Sequence, residues 1–185
     1  TPRVPAAPTC PPTPTPPPSP PGSVLAVWGT SGAPGRTTLA AGIATILART
    51  APTLLVDADT GNPTVAHLLG LPVHASGLSV LARAASRGTI TPQDVAAASL
   101  ERARNLSIIT GLATPHRWRE VSRSGIAAIV AAARRGARYS VIDVAATSLD
   151  KPGRGANRDD ASTGVLAAAD RIIVVARGDI VGINR

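Results

Sequence analysis

The sequence predicts an α/β fold in which a mostly parallel, doubly wound sheet is flanked by helices. Short apolar runs alternate along the chain with segments of helical periodicity. The runs are continuously apolar, which is typical of parallel strands buried on both faces of a sheet. Polar residues directly follow several of these runs, and ligands of such sheets gather at the carboxyl ends of the strands. We therefore expect a ligand site along one edge of the sheet.

The first 22 residues differ in composition from the rest of the chain. They hold 11 of the 18 prolines and few large apolar side chains, a composition that favours extended polyproline conformations over a packed core. We expect a disordered Pro-rich arm over 1–22 and one domain over 23–185, which is long enough to bury a core. Because the chain begins without Met and stops soon after an apolar strand, we expect this domain to be truncated at its C-terminus.

Composition also bounds the core and the compartment. The chain has no Phe or Met, so aliphatic side chains and alanine must fill the core. The one cysteine, Cys10, has no partner for a disulfide, which favours a reducing, cytoplasmic location. No apolar run reaches the length of a membrane-spanning helix. A peripheral position at a membrane or cell pole stays open.

The net charge of +8 is carried almost entirely by arginine. A solvated basic surface explains it, and so does a patch for nucleic acid or another acidic partner. No helix-turn-helix, zinc-finger or RNA-binding motif accompanies the arginines. Their densest groups are Arg117, Arg119 and Arg123 around Trp118, and Arg134, Arg135 and Arg138.

The pattern predicts five strands and six helices in alternation. The expected strands cover 24–28, 53–56, 106–109, 139–142 and 171–175. One expected helix ends near 49, one begins at 92, and the other four cover 64–69, 78–85, 118–135 and 162–169. The best-marked helix start is Pro92, since Thr91 fits the N-cap and Asp94 fits the reciprocal position of a capping arrangement.

The stretch VLAVWGTSGAPGRTT at 24–38 is the most specific signal in the chain. An apolar strand, a Gly-rich turn and a helix follow one another in the order of a phosphate-binding loop. In such a loop backbone N–H groups and the helix N-terminus converge on phosphate oxygens. Gly32 and Gly35 supply the tight backbone, Arg36 the cation and Thr37 the hydroxyl for Mg²⁺. The alternative is an ordinary strand-to-helix turn.

This loop departs from the standard pattern G-x-x-x-x-G-K-[ST] at two positions. Thr30 stands where the pattern has glycine, and Arg36 stands where it has lysine. The order of strand, loop and helix therefore supports the interpretation more than the motif does. The residues expected to contact the nucleotide are Gly32, Ala33, Pro34, Gly35, Arg36, Thr37 and Thr38.

Carboxylates follow two other apolar runs. Asp57 and Asp59 follow one, and alternate residues at a strand end project similarly, so both carboxylates can lie around one metal and one water. Asp143 ends the run 139–142 in the form of a Walker B element. Since many buried strands end in Asp for turn or capping reasons, Asp143 alone is weak evidence.

Together these pieces resemble the MinD/ParA group of P-loop ATPases, which carry a deviant Walker A loop. The irregular loop is most similar to the CpaE-like and TadZ-like branch of pilus assembly. The residues that carry the resemblance are 32–38, 54–59, 61–64, 141–143 and 169–175. The resemblance implies a P-loop NTPase fold with ATP and Mg²⁺ as cofactors.

The resemblance also implies roles for single residues. Arg36 would stand in the place of the phosphate-loop lysine, and Thr37 would bind Mg²⁺. Asp59 would orient the attacking water and share the catalytic role with Arg36. Asp57 would lie near the metal, and Asp143 would support the metal from behind the residues that touch it.

One departure from the family concerns the cation that crosses the dimer. Members of the group carry a signature lysine early in the loop, and Ser31 stands there instead. The forked, planar guanidinium of Arg36 also differs from a lysine ammonium, so the phosphate geometry must differ. Losing a positioned cation lowers the rate of phosphoryl transfer strongly.

Several functions follow from this. The first is an ATP-dependent dimerising switch with slow hydrolysis, which positions a cargo such as a pilus or secretion apparatus or DNA. The second is a catalytically impaired scaffold that uses the same fold for localisation or protein interaction. A nonspecific DNA-binding module and a metabolic P-loop enzyme of the amidoligase type are further alternatives.

Overall fold

The computed structural model describes residues 21–30, 32–147 and 157–180. The predictions for residues 1–20 of the Pro-rich arm, which include Cys10, and for Ser31 therefore lie outside the described residues. The strands are β1 (Ser23–Gly29), β2 (Thr53–Ala58), β3 (Leu100–Ala103), β4 (Leu106–Ile109), β5 (Tyr139–Val144) and β6 (Arg171–Val175). The α-helices are α1 (Arg36–Leu47), α2 (Val65–Leu69), α3 (Gly77–Arg87), α4 (Pro92–Ala98), α5 (Arg123–Gly136) and α6 (Asp160–Ala168), and a 3₁₀-helix covers Pro115–Glu120.

The six strands form one sheet in the order β3-β4-β2-β5-β1-β6. All neighbouring pairs are parallel except β3 with β4, which confirms the predicted fold class. Strand β5 lies between β1 and β2. Asp143 of β5 is in register with Val27 on one side and with Asp57 on the other. The carboxyl ends of these three strands therefore meet at one point on the sheet edge.

Helices cover both faces of the sheet. On one face α1 and α2 pack against strand residues such as Val27, Leu55 and Val141. On the other face α3, α4, α5 and α6 form the larger core. Both cores are built from aliphatic residues and alanine, as the composition predicts. Among the described residues, no helix is long and apolar enough to cross a membrane.

Helix α1 faces the sheet with alanine. Ala40, Ala41 and Ala44 are its buried residues, whereas Leu39 and Ile46 are exposed over 40% and 61% of their surfaces. The predicted helix is confirmed, and Leu39 and Ile46 lie outside its buried face. Small side chains let the helix backbone approach the strands closely, and the partly buried Ile43 and Leu47 pack against the same core.

Strand β3 is absent from the sequence prediction. It has only four residues, it is largely exposed, and it pairs antiparallel with β4 through an irregular register between Glu101 and Ala103. A short edge strand that carries charge lacks the continuous apolar run by which the buried strands are recognised. Its charges and irregular pairing instead protect this edge of the sheet.

The predicted helix over 118–135 is two elements. The 3₁₀-helix ends at Glu120, the side chain of Val121 is buried, and α5 begins at Arg123. Ser122 is the N-cap of α5, and its hydroxyl accepts a hydrogen bond from the backbone N–H of Gly125. The helical periodicity is therefore real, but a cap within it restarts the helix.

The start of α4 agrees with the sequence. The Thr91 hydroxyl accepts from the Asp94 N–H, and the Asp94 carboxylate accepts from the Thr91 N–H, with Pro92 in the first turn. In this capping box each side chain accepts a hydrogen bond from the backbone N–H of the other residue, so two N–H groups at the helix start are satisfied.

Candidate functional site

The N-terminus of α1 is open to an anion. Its N-cap is Gly35, which has φ of 89° and offers no side-chain hydrogen bond, and the first turn contains no acidic residue. Gly32 also has a positive φ, of 80°, a conformation that glycine adopts without strain. The unsatisfied N–H groups of such a helix start, together with the helix dipole, favour a phosphate.

The predicted nucleotide-contacting residues surround this opening. Gly32, Pro34, Gly35 and Thr38 are exposed, and Ala33, Arg36 and Thr37 are half-buried. One hydrogen bond, from the Ala33 N–H to the Thr30 carbonyl, closes a turn in the loop. The segment is therefore an accessible turn, and its half-buried residues include Arg36 and Thr37, the expected cation and metal ligand.

Gly29 determines the path of the Arg36 side chain. A Cβ at position 29 would lie 2.3 Å from the Val175 carbonyl oxygen and 3.0 Å from Cδ of Arg36. The arginine stem therefore passes over a backbone that has no side chain. Its Nη2 reaches Oδ2 of Asp59 at 3.4 Å, and its Nε is buried with no hydrogen-bond partner among the described residues.

Thr37 and Asp143 contact each other directly. The Thr37 hydroxyl donates to Oδ2 of Asp143 at 2.6 Å. The other carboxylate oxygen, Oδ1, is buried and accepts no hydrogen bond from the described residues. Burial raises the pKa of Asp143 to about 6, although the Thr37 hydrogen bond acts in the opposite direction.

Asp59 holds the loop between β2 and α2. Its Oδ1 accepts from the backbone N–H groups of Gly61 at 2.9 Å and Asn62 at 2.7 Å, while Oδ2 faces Arg36. The side chain is therefore fixed within reach of the phosphate loop. The structure brings the two predicted catalytic residues, Asp59 and Arg36, into contact.

Asp57 lies within β2 and not after it, because the strand continues to Ala58. Its Oδ1 accepts from the Asp59 N–H at 3.2 Å and its Oδ2 from the Val65 N–H at 3.0 Å. Burial, reinforced by the nearby charges of Asp143 and Asp59, raises the pKa of Asp57 to about 8 against these hydrogen bonds. Both oxygens thus order the loop, and its proximity to a metal stays a prediction.

Thr64 belongs to this cluster, although its sequence pattern predicts no functional role for it. Its Oγ1 lies 3.1 Å from Oγ1 of Thr37. A threonine directly before a helix is ordinarily interpreted as an N-cap, and that pattern conceals a contact with the phosphate loop.

The arrangement suits a phosphate and a hard cation. The Arg36 Nε, which has no partner within the described part of the chain, can donate to an anion. The Asp143 Oδ1, equally without a partner there, can accept from a metal-bound water. In the described part of the chain, no three His, Cys, Asp or Glu side chains form a metal-binding cluster. A Mg²⁺ ion here would therefore depend on the Thr37 hydroxyl, water and phosphate oxygens, which is the usual mode for Mg²⁺ bound with a nucleotide.

Several arginines of the predicted basic groups have partners within the protein. Arg117 forms a bidentate ion pair with Glu120, at 2.6 and 2.8 Å. Arg134 pairs with Asp170 at 2.7 Å, and Arg135 donates to a backbone carbonyl. Structural roles thus occupy part of the positive charge.

Comparisons with known proteins support the fold and not a sequence family. No protein-family model and no curated protein sequence matches the chain. Among solved structures, a ParA family ATPase from Chlorobium tepidum matches with a TM-score of 0.71 and 18% identity, over 88% of this chain and 63% of that chain. The chain has the fold of the ParA and MinD ATPases.

Two further structures of this fold contain nucleotides. A plasmid partition protein from Borrelia burgdorferi bound to AMPPNP matches with a TM-score of 0.65 and 18% identity, over 88% of this chain and 64% of that chain. The septum site-determining protein MinD from Pyrococcus horikoshii, complexed with Mg-ADP, matches with a TM-score of 0.64 and 17% identity, over 88% and 61%. This chain spans less than two thirds of the length of each of the three proteins.

Proposed function

We propose that the chain binds ATP and Mg²⁺ at the carboxyl ends of β1, β2 and β5 and acts as a dimerising switch of the MinD/ParA type with slow hydrolysis. One observation carries the proposal. The N-terminus of α1, which has no side-chain cap, lies beside two buried atoms that have no hydrogen-bond partner among the described residues, the Arg36 Nε donor and the Asp143 Oδ1 acceptor. A phosphate with a hydrated cation satisfies both kinds of group.

Each residue of the loop has a distinct task in this proposal. The N–H groups of 32–38 hold the phosphate oxygens, and Arg36 supplies the positive charge. Thr37 provides the hydroxyl ligand for Mg²⁺, and Asp143 fixes that hydroxyl and accepts from a metal-bound water. When bound, Mg²⁺ neutralises charge that develops on the phosphates during phosphoryl transfer.

Hydrolysis depends on Asp59. Its carboxylate is anchored by loop N–H groups through Oδ1, which leaves Oδ2 to orient an attacking water once Arg36 turns to the phosphates. Since Arg36 must leave this ion pair to serve the nucleotide, and since Ser31 replaces the crossing lysine, we expect slow turnover.

The cargo is proposed from the kinds of protein that share the fold. The names of the similar structures refer to plasmid partition and septum-site determination, which are positioning activities of those proteins. For this chain we propose an ATP-dependent homodimer in the cytoplasm, at times peripheral to a membrane or cell pole. Its partners would belong to a localisation, pilus or secretion system of the CpaE/TadZ kind, with nonspecific DNA as another candidate.

Calorimetric titration of ATP with Mg²⁺ into the protein tests the site. We expect saturable binding that Thr37→Ala weakens about tenfold or more, because a metal ligand is lost. Thr45→Ala is the matched control, since Thr45 lies on the same helix and its hydroxyl bonds only the Ala41 carbonyl among the described residues. Equal binding by the two variants would remove Thr37 from the site.

A catalytically impaired scaffold is the second candidate, and the Arg36–Asp59 ion pair favours it. In that state the cation and the water-orienting carboxylate neutralise each other. Phosphate release by the unmodified protein above that of Thr37→Ala would exclude the scaffold.

A further inference from the structure

Thr64 occupies the N-cap of α2 but does not cap it. Its side chain accepts no hydrogen bond from the helix, and the first N–H of α2, that of Val65, donates to Asp57 instead. A threonine at this position normally bonds the N–H two or three residues on. The Thr64 hydroxyl is turned to Thr37 instead.

The direction of this hydrogen bond follows from counting hydrogens. An ionised carboxylate can only accept, so the single hydroxyl hydrogen of Thr37 is used on Asp143 at 2.6 Å. The hydrogen between the two threonines therefore comes from Thr64. The result is a relay in which Thr64 donates to Thr37 and Thr37 donates to Asp143.

We propose that Thr64 is a positioning residue, which orients the Thr37 hydroxyl for Mg²⁺ and couples metal binding to the loop between β2 and α2. The role toward Mg²⁺ rests on the proposed function. A hydroxyl oxygen has two lone pairs. With one accepting from Thr64 and the hydrogen directed to Asp143, the second lone pair of Thr37 has a fixed direction and is left for a cation.

The coupling extends to Asp59. The loop that ends at Thr64 is tied at its start by the bonds from Gly61 and Asn62 to Asp59, and at its end by the bond from Val65 to Asp57. A cation on Thr37 thus acts, through one hydrogen bond, on the segment that holds the water-orienting carboxylate.

The test compares ATP affinity with Mg²⁺ and with EDTA for Thr64→Val, Thr64→Ser and the wild type. Valine keeps the shape and removes the donor, so we expect the gain in affinity from Mg²⁺ to fall about tenfold, while affinity in EDTA is unchanged. Serine keeps the donor and should restore the gain. Thr60→Val is the matched control, because buried Thr60 lies in the same loop and its hydroxyl faces the Arg158 carbonyl at 3.4 Å. An unchanged gain in Thr64→Val, or an equal loss with and without Mg²⁺, would overturn the proposal.

A double-mutant cycle in nucleotide-free protein separates this proposal from the proposed function. Each single variant, Thr64→Val or Thr37→Val, already loses the hydrogen bond between the two threonines. We therefore expect the double variant to lower the folding equilibrium constant by about tenfold less than the product of the two single effects. Additive effects would refute the relay. If the wild type binds no nucleotide, the proposed function fails, and this cycle still decides whether Thr64 holds Thr37.

Discussion

Arg36 and Asp59 form an ion pair between the phosphate loop and the loop that follows β2, with Nη2 and Oδ2 3.4 Å apart. Their side chains are only 16% and 7% exposed. A buried pair is retained because each charge compensates the other, and the loss of either partner leaves an unpaired charge. A nucleotide phosphate would offer Arg36 a competing partner.

Asp59→Ala should abolish phosphate release while ATP with Mg²⁺ still binds. The alanine cannot orient water, whereas the groups expected to hold the phosphates lie in 32–38. Phosphate release and calorimetric binding measure the two effects on the same protein. Glu101→Ala, a change of an exposed carboxylate on β3, should alter neither. Unchanged turnover in Asp59→Ala would remove Asp59 from the catalytic role.

Arg36→Lys should raise the rate of phosphate release about tenfold or more. Lysine delivers a compact charge to the β and γ oxygens, and it cannot form the forked contact that a guanidinium makes with a carboxylate. Single-turnover assays with saturating ATP separate this gain from a change in affinity. A slower rate than wild type would mean that this loop is adapted to arginine.

Asp143→Asn should change how stability depends on pH in nucleotide-free, Mg²⁺-free protein. Folding raises the pKa of Asp143 from 3.8 to about 6, mainly by burial, so its ionisation opposes folding. Its contribution is fully favourable below pH 3.8 and is lost as the pH rises through about 6. Asparagine does not titrate, so the variant should gain on the order of 2 kcal/mol relative to wild type between pH 4 and pH 7.

Denaturant unfolding at the two pH values checks this prediction. Ser107→Ala, at a partly buried position on β4, serves as a control that leaves the titrating groups in place. A constant difference between wild type and Asp143→Asn across this range would mean that burial does not shift the carboxyl.

Gly29→Ala and Gly42→Ala should have opposite effects on the free energy of unfolding. A Cβ at position 29 meets the Val175 carbonyl at 2.3 Å, so alanine must displace β1 from β6 or Arg36 from its path, at a cost of about 2 kcal/mol or more. A Cβ at position 42 meets nothing within 4 Å, and α1 should gain about 1 kcal/mol. Thermal or denaturant unfolding of the two variants measures the difference. Equal destabilisation by both substitutions would contradict the prediction.

The sequence could predict the parallel sheet, because continuous apolar runs indicate buried strands, and the family resemblance implies that Thr37 and Asp143 lie at one site. It also predicted α4, since Thr91 and Asp94 mark their helix start locally. These features depend on residues close together in sequence or on a strong periodicity.

The remaining features depend on contacts that no local pattern records. Strand β3 forms because it pairs with β4. Its own four residues are mostly exposed and therefore show no apolar run. Ile46 is apolar but lies exposed on α1, whose fully buried residues are alanines. Thr64 has the residue type of a cap, and only the approach of Thr37 turns its hydroxyl away.

The alanine face of α1 limits which part of the site can move. Alanine packs closely against the strands along this face, together with the partly buried Ile43 and Leu47, so a shift of α1 away from the sheet would cost packing energy. We therefore expect a rearrangement on ligand binding to involve the segment from Asp59 to Thr64, which hydrogen bonds and the Arg36–Asp59 ion pair hold in place. Helix α1 would then be the fixed part of the site, and the segment from Asp59 to Thr64 would be the part that responds to the ligand.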